Sequence, residues 1–272
     1  MGLTDNASEV VLGKADIDDA LALSDEANWN QTEADWGLFM APGTCFGIHG
    51  DDRLVASAAV LPFGEIGWIS MVLVTTDWRR RGLASKLMGR CIREMRDRNA
   101  ASLLDATPDG AKVYGQLGFR TCCGMTRWRG VGLGHSKRPH AVVERQTVLD
   151  LDRQAFGGDR AFLLEDFCDR PGGVALGDAR SFIMIRRGRR ATQIGPLVAA
   201  SAPEGQELLD MALATVAGAV IIDLLDAGSH LRPSLERRGM EAFRTFERMV
   251  LDRRDLPGAP DRMLIAAGPE FG

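Results

Sequence analysis

Tyrosine is almost absent from this chain: one residue, Tyr114, in 272. Histidine is scarce too, at four, and none has an i,i+4 or cysteine partner, so a protein metal centre is not expected. The five cysteines (45, 91, 122, 123 and 168) are odd in number and lack zinc or redox-pair spacing. They are expected to be reduced core residues of a cytoplasmic protein. No apolar run approaches the roughly 20 residues of a membrane span. MGLTDNASEV has neither a basic region nor an apolar core, so no secretory signal is expected and no membrane partner either. Positive charge is not in excess: the net charge is −4 and the pI about 5.7. That balance argues against nucleic acid as a partner and suits a cationic amine. Hydrophobic content of 45% with 26% charged residues is ordinary for a globular protein. The length suggests two domains.

What is present is concentrated in one stretch. An apolar strand, Trp68 to Val74, precedes Arg79-Arg80-Arg81-Gly82-Leu83-Ala84, and a helix follows from Leu83 to Met95 with apolar residues in a helical stripe. Gly82 tolerates positive φ and admits an anion close to the backbone. The first-turn N–H groups of the helix are unpaired, and the macrodipole adds positive charge there. A strand, an arginine-rich glycine loop and a helix can therefore cradle a phosphate. Downstream, Tyr114-Gly115-Gln116-Leu117-Gly118-Phe119 reads as a short helix ended by Gly118 and followed by a strand.

These segments resemble the GNAT superfamily of N-acetyltransferases, whose loop runs Gln/Arg-x-x-Gly-x-Gly/Ala; Arg79, Gly82 and Ala84 fill those slots. The element order agrees over roughly residues 7–130: strand Glu9–Leu12, helices Asp16–Glu26 and Thr32–Met40 (with Thr32 as N-cap), then strands Cys45–His49 and Leu54–Leu61 about a Gly50-Asp51-Asp52 turn. The resemblance implies an α/β mixed sheet flanked by helices, with its fourth and fifth strands splayed apart. It implies acetyl-CoA as cosubstrate, its pantetheine arm paired with Met71, Val72, Leu73 and Val74. Its diphosphate would lie on Arg79, Arg80, Arg81, Gly82, Leu83, Ala84 and Ser85.

The second half repeats the first. Leu103-Leu104-Asp105-Ala106 recurs as Leu224-Leu225-Asp226-Ala227, an offset of 121 that also aligns Gly118 with Gly239. The segments Ala155–Arg160 and Ile194–Ala199 resemble the C-terminal domain of the YitH-like acetyltransferases. Tandem GNAT-like domains are thus expected at 1–132 and 144–272, with a linker at 133–143 overlapping the Gly-, Pro- and basic-rich stretch Gly130–His140. The second loop has lost its chemistry: Ala200, Pro203 and Gly205 stand opposite Arg79, Gly82 and Ala84, and Leu235 opposite Tyr114. One site, in the first domain, is expected.

Acetyl transfer needs a base for the amine and an acid for the leaving thiolate. By resemblance Tyr114 is the acid; packing is its alternative role. The glutamate that many relatives carry in strand four is replaced by Trp68. Asp105 is then a candidate base or a structural carboxylate, and a carboxylate from helix Asp16–Glu26 or from the second domain, or a water chain, remains open. Trp29 and Trp36 are candidate walls of an acceptor pocket, through cation–π contact, or ordinary packing residues. The expected activity is acetylation of a primary amine on a small molecule. The alternatives are a protein or peptide acetyltransferase and a non-catalytic acyl-CoA sensor.

Overall fold

The computed structural model describes residues 7–134 and 142–272. Most of the expected linker, with His135 and His140, lies outside the described residues. Contacts divide the chain into two compact units between Leu104 and Asp105.

The first unit runs β1 (Ser8–Leu12), α1 (Ile17–Glu26), α2 (Glu33–Met40), β2 (Thr44–Gly50), β3 (Arg53–Pro62), β4 (Ile66–Val74), α3 (Leu83–Asp97) and the start of β5 (Ala101–Ala106). Its strands are ordered β1-β2-β3-β4-β5. All neighbours are antiparallel except β4 and β5, as the helical crossover between those two requires. The β2–β3 hairpin turns on Asp51 and Asp52, both left-handed at φ 53° and 59°, a conformation aspartate tolerates. Thr32 caps α2: its hydroxyl accepts from Asp35 N–H, and the Asp35 carboxylate accepts from Thr32 N–H at 2.8 Å. The stripe on α3 buries Leu83, Leu87, Met88, Cys91, Ile92 and Met95, each large side chain contributing roughly 1.5–3 kcal/mol. Met95 lies so close to β4 that a Cβ on Gly67 would sit 1.7 Å from its sulfur.

Two irregularities in β4 position the site. Ser70 pairs with Ala59 and Leu73 with Ser57, so Met71 and Val72 both stand opposite Ala58. This is a β-bulge, with Met71 at φ 53° and its carbonyl accepting from the Ser57 hydroxyl at 2.8 Å. On its other edge, β4 pairs with β5 only from Ile66 to Trp68. From Ile69 onward the two strands diverge, as the expected splay requires.

The second unit contains α4 (Pro108–Gln116), β6 (Arg120–Leu133), α5 (Arg145–Phe156), α6 (Ala161–Asp169), β7 (Val174–Gly177), β8 (Phe182–Arg187), β9 (Thr192–Val198), α7 (Ala202–Thr215), β10 (Ala217–Leu225), α8 (Arg232–Arg237), β11 (Glu241–Leu251) and β12 (Met263–Ile265). Residues 130–133 are not linker, as the glycines there suggest, but the end of β6. They pair with Val220 to Ala217, so their backbone groups are used in a ladder.

By the 121-residue offset, β10 repeats β5 and β11 repeats β6. Yet β6 lies between β10 and β11, antiparallel to both. The last strand of the first repeat is therefore built into the sheet of the second. Two buried ion pairs fix this exchange: Arg127 on β6 with Asp223 on β10, at 2.7 and 2.8 Å, and Arg248 on β11 with Asp105, at 2.9 Å to each oxygen. Arg127 and Arg248 are themselves 121 residues apart.

The second repeat also splays and is then filled. β9 and β10 pair in parallel only where Thr192–Ile194 meets Val220–Ile222. Beyond that, β12 enters between them, with Ile265 opposite both Leu224 and Leu197, and Met263 opposite Val198. Ala199 N–H donates to the Arg262 carbonyl at 3.0 Å and Ala266 N–H to the Asp223 carbonyl at 2.9 Å. Met263 through Ala267 are all buried.

Candidate functional site

The loop after β4 is shaped by side chains that turn back onto it. Thr76–Trp78 form a single 3-10 turn, and Trp78 is buried against Gly50, where a Cβ would lie 2.4 Å from the indole. Arg79 Nε donates to the Val74 carbonyl at 3.1 Å. Arg81 Nη2 donates to the Asp77 carbonyl at 2.9 Å, and its guanidinium stacks on Trp78 at 4.7 Å. Arg79 and Arg81 thus brace the loop as well as charging it, while Arg80 sits in the left-handed region at φ 59°.

Gly82, at φ 79° and with nothing within 4 Å of the place a Cβ would take, is the N-cap of α3. No side chain caps that helix; its first ladder bond is Lys86 N–H to the Gly82 carbonyl. The amides of Leu83, Ala84 and Ser85 therefore begin an uncapped, positively polarised turn in an exposed loop. The contrast with the second repeat is direct. There, Ser201 caps α7 by accepting from Glu204 N–H, Pro203 removes a donor, and Glu204 puts a carboxylate in the first turn.

These features fit an acyl-CoA in the first unit: an uncapped helix end for a diphosphate, and a strand edge from Ile69 to Val74 without a β5 neighbour for an extended pantetheine. In the second repeat the corresponding helix, α7, is capped by Ser201, and β12 occupies the corresponding strand edge. Among the described residues no group of three His, Cys, Asp or Glu could hold a metal. The thiols of Cys45 and Cys91 are buried, and burial pushes both upward.

The candidate acid–base residues divide. Tyr114, on α4, packs its ring over Gly110 and lies 6.2 Å from the Phe119 ring. It belongs to the second unit and the loop to the first. The side chain of Asp105 is fully buried, and each of its oxygens accepts from Arg248. Burial pushes its carboxyl up against the pull of the Arg248 charge. That geometry, a two-point ion pair with Arg248, is the one expected of a structural carboxylate. Trp36 is corrected as a pocket wall: it is wholly buried, its indole N–H donates to Ser24 Oγ at 2.9 Å, and it meets Phe39 edge-on at 6.0 Å. Trp29 is half-buried in the α1–α2 loop, beside the buried side chains of Asn30 and Gln31.

Of the carboxylates on helix Asp16–Glu26, Glu26 is spoken for. Glu26 Oε2 accepts from Thr75 Oγ1 at 2.6 Å; Oε1 accepts from Thr76 N–H at 2.7 Å and Thr76 Oγ1 at 2.6 Å. Those bonds, led by the two threonine hydroxyls and helped by the Arg79 charge, hold its pKa at about 2 against an ordinary 4.5. A carboxylate so acidic is a poor base at neutral pH. Because the folded value lies below the unfolded one, the clamp stabilises the fold above about pH 4.5 and is lost as pH falls toward about 2. Acid titration of Glu26→Ala, followed by circular dichroism, is expected to show a shallower loss of stability across that window. Identical slopes for the two proteins would refute the assignment.

Comparison with known proteins points to one family for both halves. The Acetyltransferase (GNAT) family pattern matches residues 15–119 and a second acetyltransferase (GNAT) domain pattern matches 148–264. The uncharacterised N-acetyltransferase YitH of Bacillus subtilis strain 168 is 25% identical over 250 residues, covering 85% of this chain and 86% of YitH. A crystal structure of a putative acetyltransferase from Pyrococcus horikoshii superposes with a TM-score of 0.85 at 21% identity, over 100% of this chain and 98% of that one. A tandem GNAT protein from the clavulanic acid biosynthesis pathway superposes at 0.60 and 14% identity, over 90% and 98%. With two such domains in one chain, this protein belongs to the GNAT superfamily and is a GNAT-type N-acetyltransferase of tandem architecture.

Proposed function

We propose that the chain transfers an acetyl group from acetyl-CoA to a primary amine of a small molecule, through a single site in its N-terminal domain. The observation that carries the single site is β12, which takes in the second repeat the strand edge that pantetheine would take in the first. Met71–Val74 would hold the pantetheine backbone, and the uncapped turn Gly82–Ser85, with the charges of Arg79, Arg80 and Arg81, the diphosphate. The thioester supplies an activated acetyl carbonyl. As the bond to nitrogen forms and the bond to sulfur breaks, one proton leaves the amine and one reaches the thiolate. Tyr114 is proposed to give the second. With Asp105 and Glu26 both committed to hydrogen bonds, the first is proposed to leave through water.

Calorimetric titration of the wild type with acetyl-CoA is expected to give one site per chain. Gly82→Glu is expected to abolish it, since the new side chain strains a left-handed position and sets a carboxylate against the diphosphate. Two sites per chain, or unchanged binding by the variant, would contradict the single-site reading.

A further inference from the structure

Glu26 stands where helix electrostatics disfavour it: it is the last residue of α1, at the negative end of the macrodipole. What holds it there is not α1 but Thr75 and Thr76, the two residues that follow β4 and open the turn leading into Arg79. Thr75 is itself fixed to the sheet, its N–H donating to the Val55 carbonyl at 2.9 Å. The carboxylate also supplies an acceptor for Thr76 N–H at the start of the 3-10 turn, acting as a cap from a distant part of the chain. On its other side, Glu26 is followed at once by the loop 27–31. That loop is closed by bonds from Ala27, Asn28 and Trp29 N–H to the carbonyls of Leu23, Asp25 and Ser24. One carboxylate therefore joins the end of α1 to the root of the glycine loop.

We propose that Glu26 is a positioning residue that couples the α1–α2 loop to the cofactor loop. Ordering of Thr76 through Gly82 around a bound diphosphate is transmitted through the Thr75–Thr76–Glu26 hydrogen bonds to Ala27–Gln31. This rests on the reading of Gly82–Ser85 as the diphosphate cradle. It assigns Glu26 a task distinct from acid–base chemistry, and one its low pKa suits, since the carboxylate stays ionised and accepting throughout the physiological range.

The test is amide hydrogen exchange on the full chain, with acetyl-CoA as the probe, in wild type, Glu26→Gln and Thr76→Val. Thr76→Val removes one hydroxyl from an exposed position and leaves the fold intact. The wild type is expected to bind acetyl-CoA and to slow exchange at Ala27, Asn28 and Trp29 at least threefold. Both variants are expected to bind about tenfold more weakly. At saturating acetyl-CoA, where occupancy is matched, they are expected to lose the slowing at those three amides while keeping it at Leu83–Ser85. A role confined to stability would leave the acetyl-CoA-dependent slowing at Ala27–Trp29 intact in the variants, and that result overturns the coupling alone. Failure of the wild type to bind acetyl-CoA overturns the cradle, and the coupling with it.

Discussion

Arg160→Ala lowers the stability of the chain by about 3–5 kcal/mol, the cost of stranding a buried charge. Arg160 is 1% exposed and stacks on Phe156 at 3.9 Å. Its guanidinium meets both oxygens of Asp152 at 2.8 Å and donates to the carbonyls of Phe271 and Gly272. Truncation leaves the Asp152 carboxyl buried without its partner and takes one donor from each of the carbonyls of Phe271 and Gly272. Against a typical total of roughly 5–15 kcal/mol, that is a large share. Asp152→Leu combined with Arg160→Met removes both charges and is expected to recover part of the loss, because the pair costs desolvation to bury. Urea denaturation of the three proteins checks this. A loss under about 1 kcal/mol for Arg160→Ala would mean that water reaches Asp152.

A chain ending at residue 134 is expected not to fold at all. Such a fragment looks natural from sequence, since it contains a whole GNAT-like repeat. Its last strand, however, is paired on both edges by residues from beyond the cut, with Ala217–Leu225 on one side and Glu241–Val250 on the other. The fragment would expose both edges of a 14-residue strand, a template for aggregation. It would also leave Arg127 without Asp223 and Asp105 without Arg248. Expression of 1–134 should give aggregated protein or one lacking a cooperative thermal transition. A soluble monomer with a sharp transition would show that β6 can pair some other way.

The sequence was most readable where contacts are local. The apolar stripe of α3, the Thr32 cap, the Gly118 helix end and the Gly82 turn each depend on residues within a few positions, and each stands in the structure as its pattern suggests. The offset of 121 disclosed the repeat. It also relates Arg127 to Arg248, a signal of the exchanged ion pairs that only gains meaning once the strand order is known. What was not readable depends on distant partners. Glu26 meets Thr75 and Thr76 some 50 positions away, and β12 enters a gap between strands that precede it by 40 to 70 residues. Trp36 misled because its helix is apolar on nearly every side, so periodicity could not say which way the indole faced.

The two halves of this protein meet their cofactor-shaped gap on different thermodynamic terms. A ligand that binds only the folded state adds stability in proportion to the logarithm of its concentration. The first half, with its open strand edge, is expected to draw that increment from the coenzyme pool and to loosen when the pool is depleted. In the second half the occupant is Met263–Ile265, tethered by the chain itself, so its effective concentration never falls. On the single-site proposal, one half would respond to acetyl-CoA supply, and the other would stand permanently in what amounts to its ligated form.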